Sequence, residues 1–433
     1  LDEGVEQVFT IEQKPSRSGE LVIEGVFHTP LRPELASDRE GIHFLDGQGR
    51  PVLGYSRAVA RDALGREQVA RLALDGRRVQ ITVPEGWLRE ARYPLTVDPL
   101  IGDPVLVSGW GSYTPAVAYN PDDDEWLVVW HDNWNGGNWD IHGQRMRSDG
   151  TLIGDNLAIA ENPSYQGAPA VAYNPAAGEY LIVWKDERVS GEWHIYGQRV
   201  RADGTLVGSE MTICAAPYYQ LDPAVTYQPA TEEWLVVWHS QRADGIQIYG
   251  QRIASSGALV GSEFAISQEG YSHRGPDVAA NPEAGEYLAV WHMHTNNLRY
   301  SLRARRVQAD GTPSGDEMII AQARKDSPWP KVAYNPHDDE YLVVWQDRRN
   351  GNWDIYGQRV SAAGALVGDN LAIATSGGNQ TCPAVAWDGR SHRYLVVWEE
   401  GDSIRGQRVW SDGALDGGPL TLAPVGWSPD LWR

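Results

Sequence analysis

A unit close to Pro-Ala-Val-Ala-Tyr-Asn-Pro, a short acidic turn, Trp-Leu-Val-Val-Trp and then Ile-Tyr-Gly-Gln-Arg-Val is written six times. The copies start at Pro115, Pro169, Pro223, Pro276, Pro330 and Pro383, 53 or 54 residues apart. Such spacing marks one supersecondary unit copied in tandem, which must stack on its neighbours to bury its apolar residues. In the first copy Ala116 to Tyr119 reads as a short strand, and Asn120 to Asp124 as a turn. Trp126 to Trp130 is a second strand, apolar on both faces; Ile141 to Arg147 is a third, and Leu157 to Ala160 a fourth. Four antiparallel strands repeated six times predict an all-β fold, a six-bladed β-propeller of four-stranded blades over residues 99–433. A straight solenoid is the alternative, but each unit is too long and too turn-rich for one of its coils.

Residues 1–98 hold no copy of the unit. Short alternating runs such as Leu21 to Phe27 and Val79 to Val83, punctuated by Gly and Pro, predict a separate, small β-sandwich-like domain there. The composition agrees with strands and turns: 19 Trp and 19 Tyr against 4 Phe, with 46 Gly and 26 Pro. A net charge of −21 argues against nucleic acid as a partner, and the chain has no apolar run long enough to span a membrane. A start at Leu1 without a leader pattern fits a mature secreted protein, extracellular or at the cell surface. Cys214 and Cys382 align in the second and fifth copies and are expected to be free thiols.

Two columns are the same in every copy. The tryptophans are Trp130, Trp184, Trp238, Trp291, Trp345 and Trp398, and the arginines Arg145, Arg199, Arg252, Arg306, Arg359 and Arg408. What every copy shares serves what every blade needs, so both columns are assigned to packing and pairing.

The loops joining second to third strands, and each fourth strand to the next first strand, vary from copy to copy. They carry His131, Asp132, Trp134, Trp139, Tyr165, Trp193, Tyr218, Tyr219, Tyr271, His273, Trp329, Arg348 and Trp353, the expected ligand-binding residues. Flat apolar rings among short polar groups suit a glycan or a protein partner; capping of the blades is the competing role. Asp132, Asn135, Asp140, Asp347, Asn350 and Asp354 set hard oxygen donors in Gly-containing loops, as Ca²⁺ requires, though the same residues form ion-free turns. No other cofactor is implied, and no nucleophile elbow, zinc motif or phosphate loop occurs.

The reading at this level is a secreted, non-catalytic binding or adhesion scaffold that uses the variable loop face. A self-assembling structural subunit is one alternative, because residues 100–108 and 415–423 both read as fourth strands and one is surplus at an edge. A glycan-acting hydrolase or lyase is the other.

The six Val-Val-Trp and Gly-Gln-Arg-Val units, preceded by Tyr93-Pro94-Leu95-Thr96-Val97-Asp98-Pro99, resemble repeats of large, mostly uncharacterised bacterial extracellular proteins in which a β domain precedes the propeller. The resemblance covers nearly the whole chain. It implies secretion and a propeller, and transfers no catalytic residue. The repeats do not each end a strand in the Trp-Asp pair of WD repeats, and the Ser-x-Asp-x-Gly-x-x-Trp box of sialidases is absent.

Overall fold

The computed structural model describes residues 9–14, 19–26, 32–35, 42–45, 51–55, 58–64, 66–99, 107, 112–133, 138–148, 150–243, 245–295, 299–324, 328–389, 391–401 and 403–424. The chain divides into two compact units, residues 1–106 with 147–151, and residues 107–146 with 152–433. The first unit is built from three small antiparallel sheets and one short helix, Glu85–Glu90. Its core gathers Ile42, Ala58, Leu72, Val79, Ile81, Val83, Leu95 and Val97.

The second unit is six consecutive four-stranded antiparallel meanders. In the first sheet the strands are Ser112–Asn120, Glu125–Asp132, Asp140–Arg147 and Leu152–Ala160. The sixth closes with Leu415–Pro424 paired to Ser403–Trp410, so the C-terminal fourth strand belongs to its own sheet and is not left spare. The rival segment 100–108 lies outside the described residues apart from Val107. Cys382 belongs to the first strand of the sixth sheet, Gln380–Asp388, rather than to the fifth copy. It and Cys214 are both free thiols.

Consecutive sheets pack face to face through a repeated interface. The Leu-x-Val face of one second strand meets the aromatic-x-Val-x-Trp face of the next: Leu127 and Val129 on Tyr180, Ile182 and Trp184; Leu181 and Val183 on Trp234, Val236 and Trp238. Three more clusters of the same kind join the third sheet to the fourth, the fourth to the fifth and the fifth to the sixth. Strands apolar on both faces are therefore what this packing demands. At the rim, Arg145 pairs with Glu125 at 2.7 Å and donates to the Asp203 carbonyl of the next sheet's turn at 3.0 Å. Arg199, Arg252, Arg306 and Arg359 repeat the arrangement on Ser255, Asp310, Ala363 and Asp412.

Among the described residues no apolar cluster joins the sixth sheet to the first. Leu127, Leu181, Leu235, Leu288 and Leu342 are fully buried, whereas Leu395 in the same column is 36% exposed, and Val117 of the first sheet is 54% exposed.

Candidate functional site

Each sheet carries the same irregularity in its first strand. Directly before the proline sits a residue in the left-handed region: Thr114 (φ 44°), Ala168 (52°), Asp222 (51°), Gly275 (55°), Trp329 (40°) and Cys382 (52°). In five of the sheets the pairing register skips there, from Tyr113 opposite His131 to Ala116 opposite Val129 in the first. A non-glycine residue held in this region costs about 1–3 kcal/mol, and only the fourth sheet uses the glycine that would avoid the cost. The backbone is thus fixed six times over while the side chain it aims differs every time. Opposite these bulges, the residue after the conserved tryptophan varies less: His131, His239 and His292 are alike, and Lys185, Gln346 and Glu399 stand in the other three copies.

Contacts link several of these twelve positions, some within a sheet and some from one sheet to the next. Thr114 Oγ1 lies 2.7 Å from His131 Nδ1. His131 packs on Trp139, and Trp139 on Tyr165, which meets Trp193 edge-on; Lys185 Nζ stands 5.1 Å from the Trp193 ring. Asp222 Oδ2 is 3.2 Å from His239 Nδ1, and its side chain keeps 29% exposure. His292 packs edge-on against Trp329, with ring centroids 5.6 Å apart. A Cβ on Gly275 would fall 3.0 Å from that indole and 3.1 Å from His292, so the missing side chain makes room for them. The Cys382 N–H donates to Gln346 Oε1 at 2.9 Å across the fifth and sixth sheets, and the Cys382 thiol bonds to Glu399. One position deeper, Asp277 sits 3.7 Å from Lys331 Nζ and accepts from the Val332 N–H at 2.8 Å.

Electrostatics separates the carboxyl groups. Burial by itself would raise Asp222, but the hydrogen bond and charge of His239, with Lys185 and His292 further off, pull it below the usual carboxylate range. Burial pushes Glu399 up, against a smaller pull from Cys382, and it pushes Asp277 up despite Lys331. His131 falls to about 4 through burial and the nearby Lys185, and His292 to about 3 through burial and the nearby His239. The two environments thus shift Asp222 and Glu399 in opposite directions, the kind of split that acid–base chemistry uses.

The structure sorts the loop residues expected from the sequence. His131, Trp139, Tyr165, Trp193 and Trp329 are brought to the site. Asp132 is buried, accepting from Trp130 Nε1 at 2.6 Å, and His273 is buried beneath Trp291, whose Nε1 donates to it at 2.8 Å. Tyr218, Tyr219 and Tyr271 are exposed, and Arg348 lies 5.4 Å from the Trp353 ring. Trp134 and Asn135 lie outside the described residues. Of the calcium candidates, Asp347 holds Arg349 at 2.5 Å, and Asp354 accepts from Asn350 and Asn352 at 2.9 and 3.0 Å. Asp140 is buried. Among the described residues no group of three or more His, Cys, Asp or Glu side chains is arranged to hold a metal ion. Sequence reasoning missed Lys185, Asp222, His239, His292, Gln346, Cys382 and Glu399. Their signal was variation inside an otherwise constant repeat.

No protein-family model matches the chain, and no curated protein does. Solved structures do. A Hadza microbial sialidase, Hz136, superposes with a TM-score of 0.50 at 11% identity over 91% of this chain and 94% of that one. A Dyadobacter fermentans protein of unknown function gives 0.49 at 13% over 70% and 92%. A family 43 endo-arabinanase from Bacillus licheniformis gives 0.38 at 12% over 60% and 99%. The fold is all-β and of the β-propeller kind. The non-catalytic scaffold expected from the sequence is corrected by the likeness to Hz136, which is a sialidase and not a binding module.

Proposed function

We propose that the protein is a glycan-acting hydrolase whose six sheets are the blades of a propeller and whose reaction centre is the recess edged by the six left-handed bulges. The observation that carries this reading is the pair of carboxyl groups at the bulges, Asp222 with Oδ2 3.2 Å from His239 Nδ1 and Glu399 bonded to the Cys382 thiol, with burial pushing Glu399 up and His239 pulling Asp222 down. The sialidase likeness supports glycans as the substrate class. The absent sialidase box and the net charge of −21 favour a neutral glycan over a sialylated one.

Glu399 gives its proton to the glycosidic oxygen as the bond to the anomeric carbon breaks. Asp222 takes a proton from a water whose oxygen joins that carbon, so the products divide the H and OH of one water, and the proton on Asp222 returns through solvent to Glu399. The two carboxyl groups stand on the third and sixth sheets; direct attack by that water, with no glycosyl-enzyme intermediate, inverts the anomeric carbon. Lys185, His131 and His292 orient hydroxyl groups, and Trp139, Tyr165, Trp193 and Trp329 offer faces for sugar rings. An extracellular location belongs to this reading, because such substrates lie outside the cell.

The test is release of reducing ends from a panel of neutral and sialylated polysaccharides by wild type, Glu399→Gln and Asp222→Ala. Ala168 occupies the bulge position of Asp222 in the second sheet, so Asp222→Ala is expected to fold. Cleavage of a neutral glycan, lost by about a hundredfold or more in both variants, supports the proposal. No cleavage by wild type, or equal cleavage by the variants, refutes it.

A further inference from the structure

In the second, third and fifth sheets an arginine at the end of the second strand or just past it folds over a tyrosine of the third. The guanidinium carbon of Arg188 is 3.7 Å from the Tyr196 centroid, that of Arg242 3.8 Å from Tyr249, and that of Arg349 4.0 Å from Tyr356. Each is held from two sides. Arg188 donates to Asp186 at 2.6 Å and Glu210 at 2.8 Å. Arg242 donates to Ser240 at 2.8 Å and Glu263 at 2.6 Å, and Arg349 to Asp347 at 2.5 Å and Asn370 at 3.2 Å.

In the first sheet the corresponding places are Asp132, His142 and Asn156, the acceptors of the fifth sheet with a histidine in place of the tyrosine. The arginine's position falls to Trp134, and residues 131–144 contain neither Arg nor Lys. The His142 ring lies as the tyrosine rings do: its centroid is 6.5 Å from Trp130 at 29°, against 6.5 Å and 26° for Trp238 with Tyr249 and 6.4 Å and 27° for Trp345 with Tyr356. Beside it is a cavity of about 540 Å³ lined by Asp132, His142, Asp155, Asn156 and Glu161 among others. Asp132 Oδ2 is 3.1 Å from His142 Nδ1, and Glu161 Oε1 is 3.4 Å from Nε2.

We infer that this cavity is a binding site for a guanidinium group supplied from outside the repeat, the arginine of a free amino acid or of a peptide. The cradle is the one that fixes an arginine three times in the same chain, with an added carboxylate, Glu161, and a histidine ring where its sisters have tyrosine. The planar cation lies on the His142 ring and donates to Asp132 on one side and to Asn156 and Glu161 on the other. The site is separate from the recess assigned to hydrolysis and does not depend on that reading. The charged groups facing His142 are Asp132 on the second strand, Asp155 on the fourth and Glu161 after it. The hydrogen bond to Asp132 raises the affinity of His142 for its proton, so proton and guanidinium compete and ligand affinity increases as pH rises through the His142 titration.

Calorimetric titration of the full chain with L-arginine, acetyl-Gly-Arg-Gly-amide and L-citrulline tests this. Saturable binding of one arginine compound per chain, with citrulline silent, is expected; the stronger of the first two shows whether the free amino acid or a peptide is the better source. Glu161→Gln is expected to weaken binding about tenfold. Trp134→Arg, which gives the first repeat the arginine its sisters have, is expected to abolish binding and raise the melting temperature. No binding by wild type, equal binding of citrulline, or undiminished binding to Trp134→Arg overturns the inference.

Discussion

The leucine column measures how the sixth sheet differs from the five before it. Leu235 is fully buried between the third and fourth sheets, and Leu395, at the same place in the sixth, is 36% exposed. Truncating Leu235 to Ala removes three buried carbons, about 2.4 kcal/mol of transfer, and leaves a closed cavity, for a total of about 3–5 kcal/mol. Leu395→Ala forfeits roughly two thirds of the transfer and opens no enclosed void, so about 1.5 kcal/mol is expected. Guanidinium denaturation followed by tryptophan fluorescence, with the slope held common to the two variants, gives the comparison. Equal losses would mean that Leu395 is covered in solution and that the sixth sheet mates with the first, which would refute the inference from its exposure.

Acid sensitivity follows from the buried histidines. His131, His273 and His292 have folded values of about 4, 4 and 3 against an ordinary 6.5, so the unfolded chain takes up protons first as pH falls. Stability therefore decreases from about pH 6.5 down towards 4, by several kcal/mol in sum, before the carboxylates titrate; denaturation midpoints at pH 7 and 5 check it, and His292→Gln should flatten the slope. Gly311 adopts φ +91°, and a Cβ there would stand 2.6 Å from Phe264 Cε1, whereas Gly315 at φ +70° faces open space. Gly311→Ala should cost about 1–3 kcal/mol more than Gly315→Ala, with Phe264→Leu restoring part of the difference; parity between the two glycine variants would remove the clash as the cause.

Much of the fold was legible because the repeat states its own packing problem. A second strand apolar on both faces, such as Leu181 to Trp184, has no solution except a sheet on each side, and the turns with their Asp-Gly steps set the strand ends. The arginine column was legible as structure, but its partners were not. That Arg199 reaches Glu179 and the Ser255 carbonyl depends on how one sheet docks on the next, which no single repeat encodes. Nor could the sequence show that Leu395 stays open where Leu342 is closed, since the two columns read alike.

The site was harder to read because attention to loops follows length variation, whereas these residues vary in place. Trp139, Tyr165 and Trp193 were visible as aromatic insertions. Asp222, Cys382 and Lys185 were hidden inside strands whose frame never changes. The chain has only four lysines, and two of them, Lys185 and Lys331, are on these strands, in columns where other copies carry His, Gln, Glu, Ala or Asp. Drift in a solvated column would trade one polar group for another at little cost. Here each non-glycine side chain before the proline is held in a strained backbone, and the groups opposite are half-buried or buried. A frame that keeps the strained backbone in all six copies while changing every side chain on it separates the requirement for folding from the requirement for chemistry. The glutamate of the sixth copy and the aspartate of the third are then legible as differences rather than as motifs.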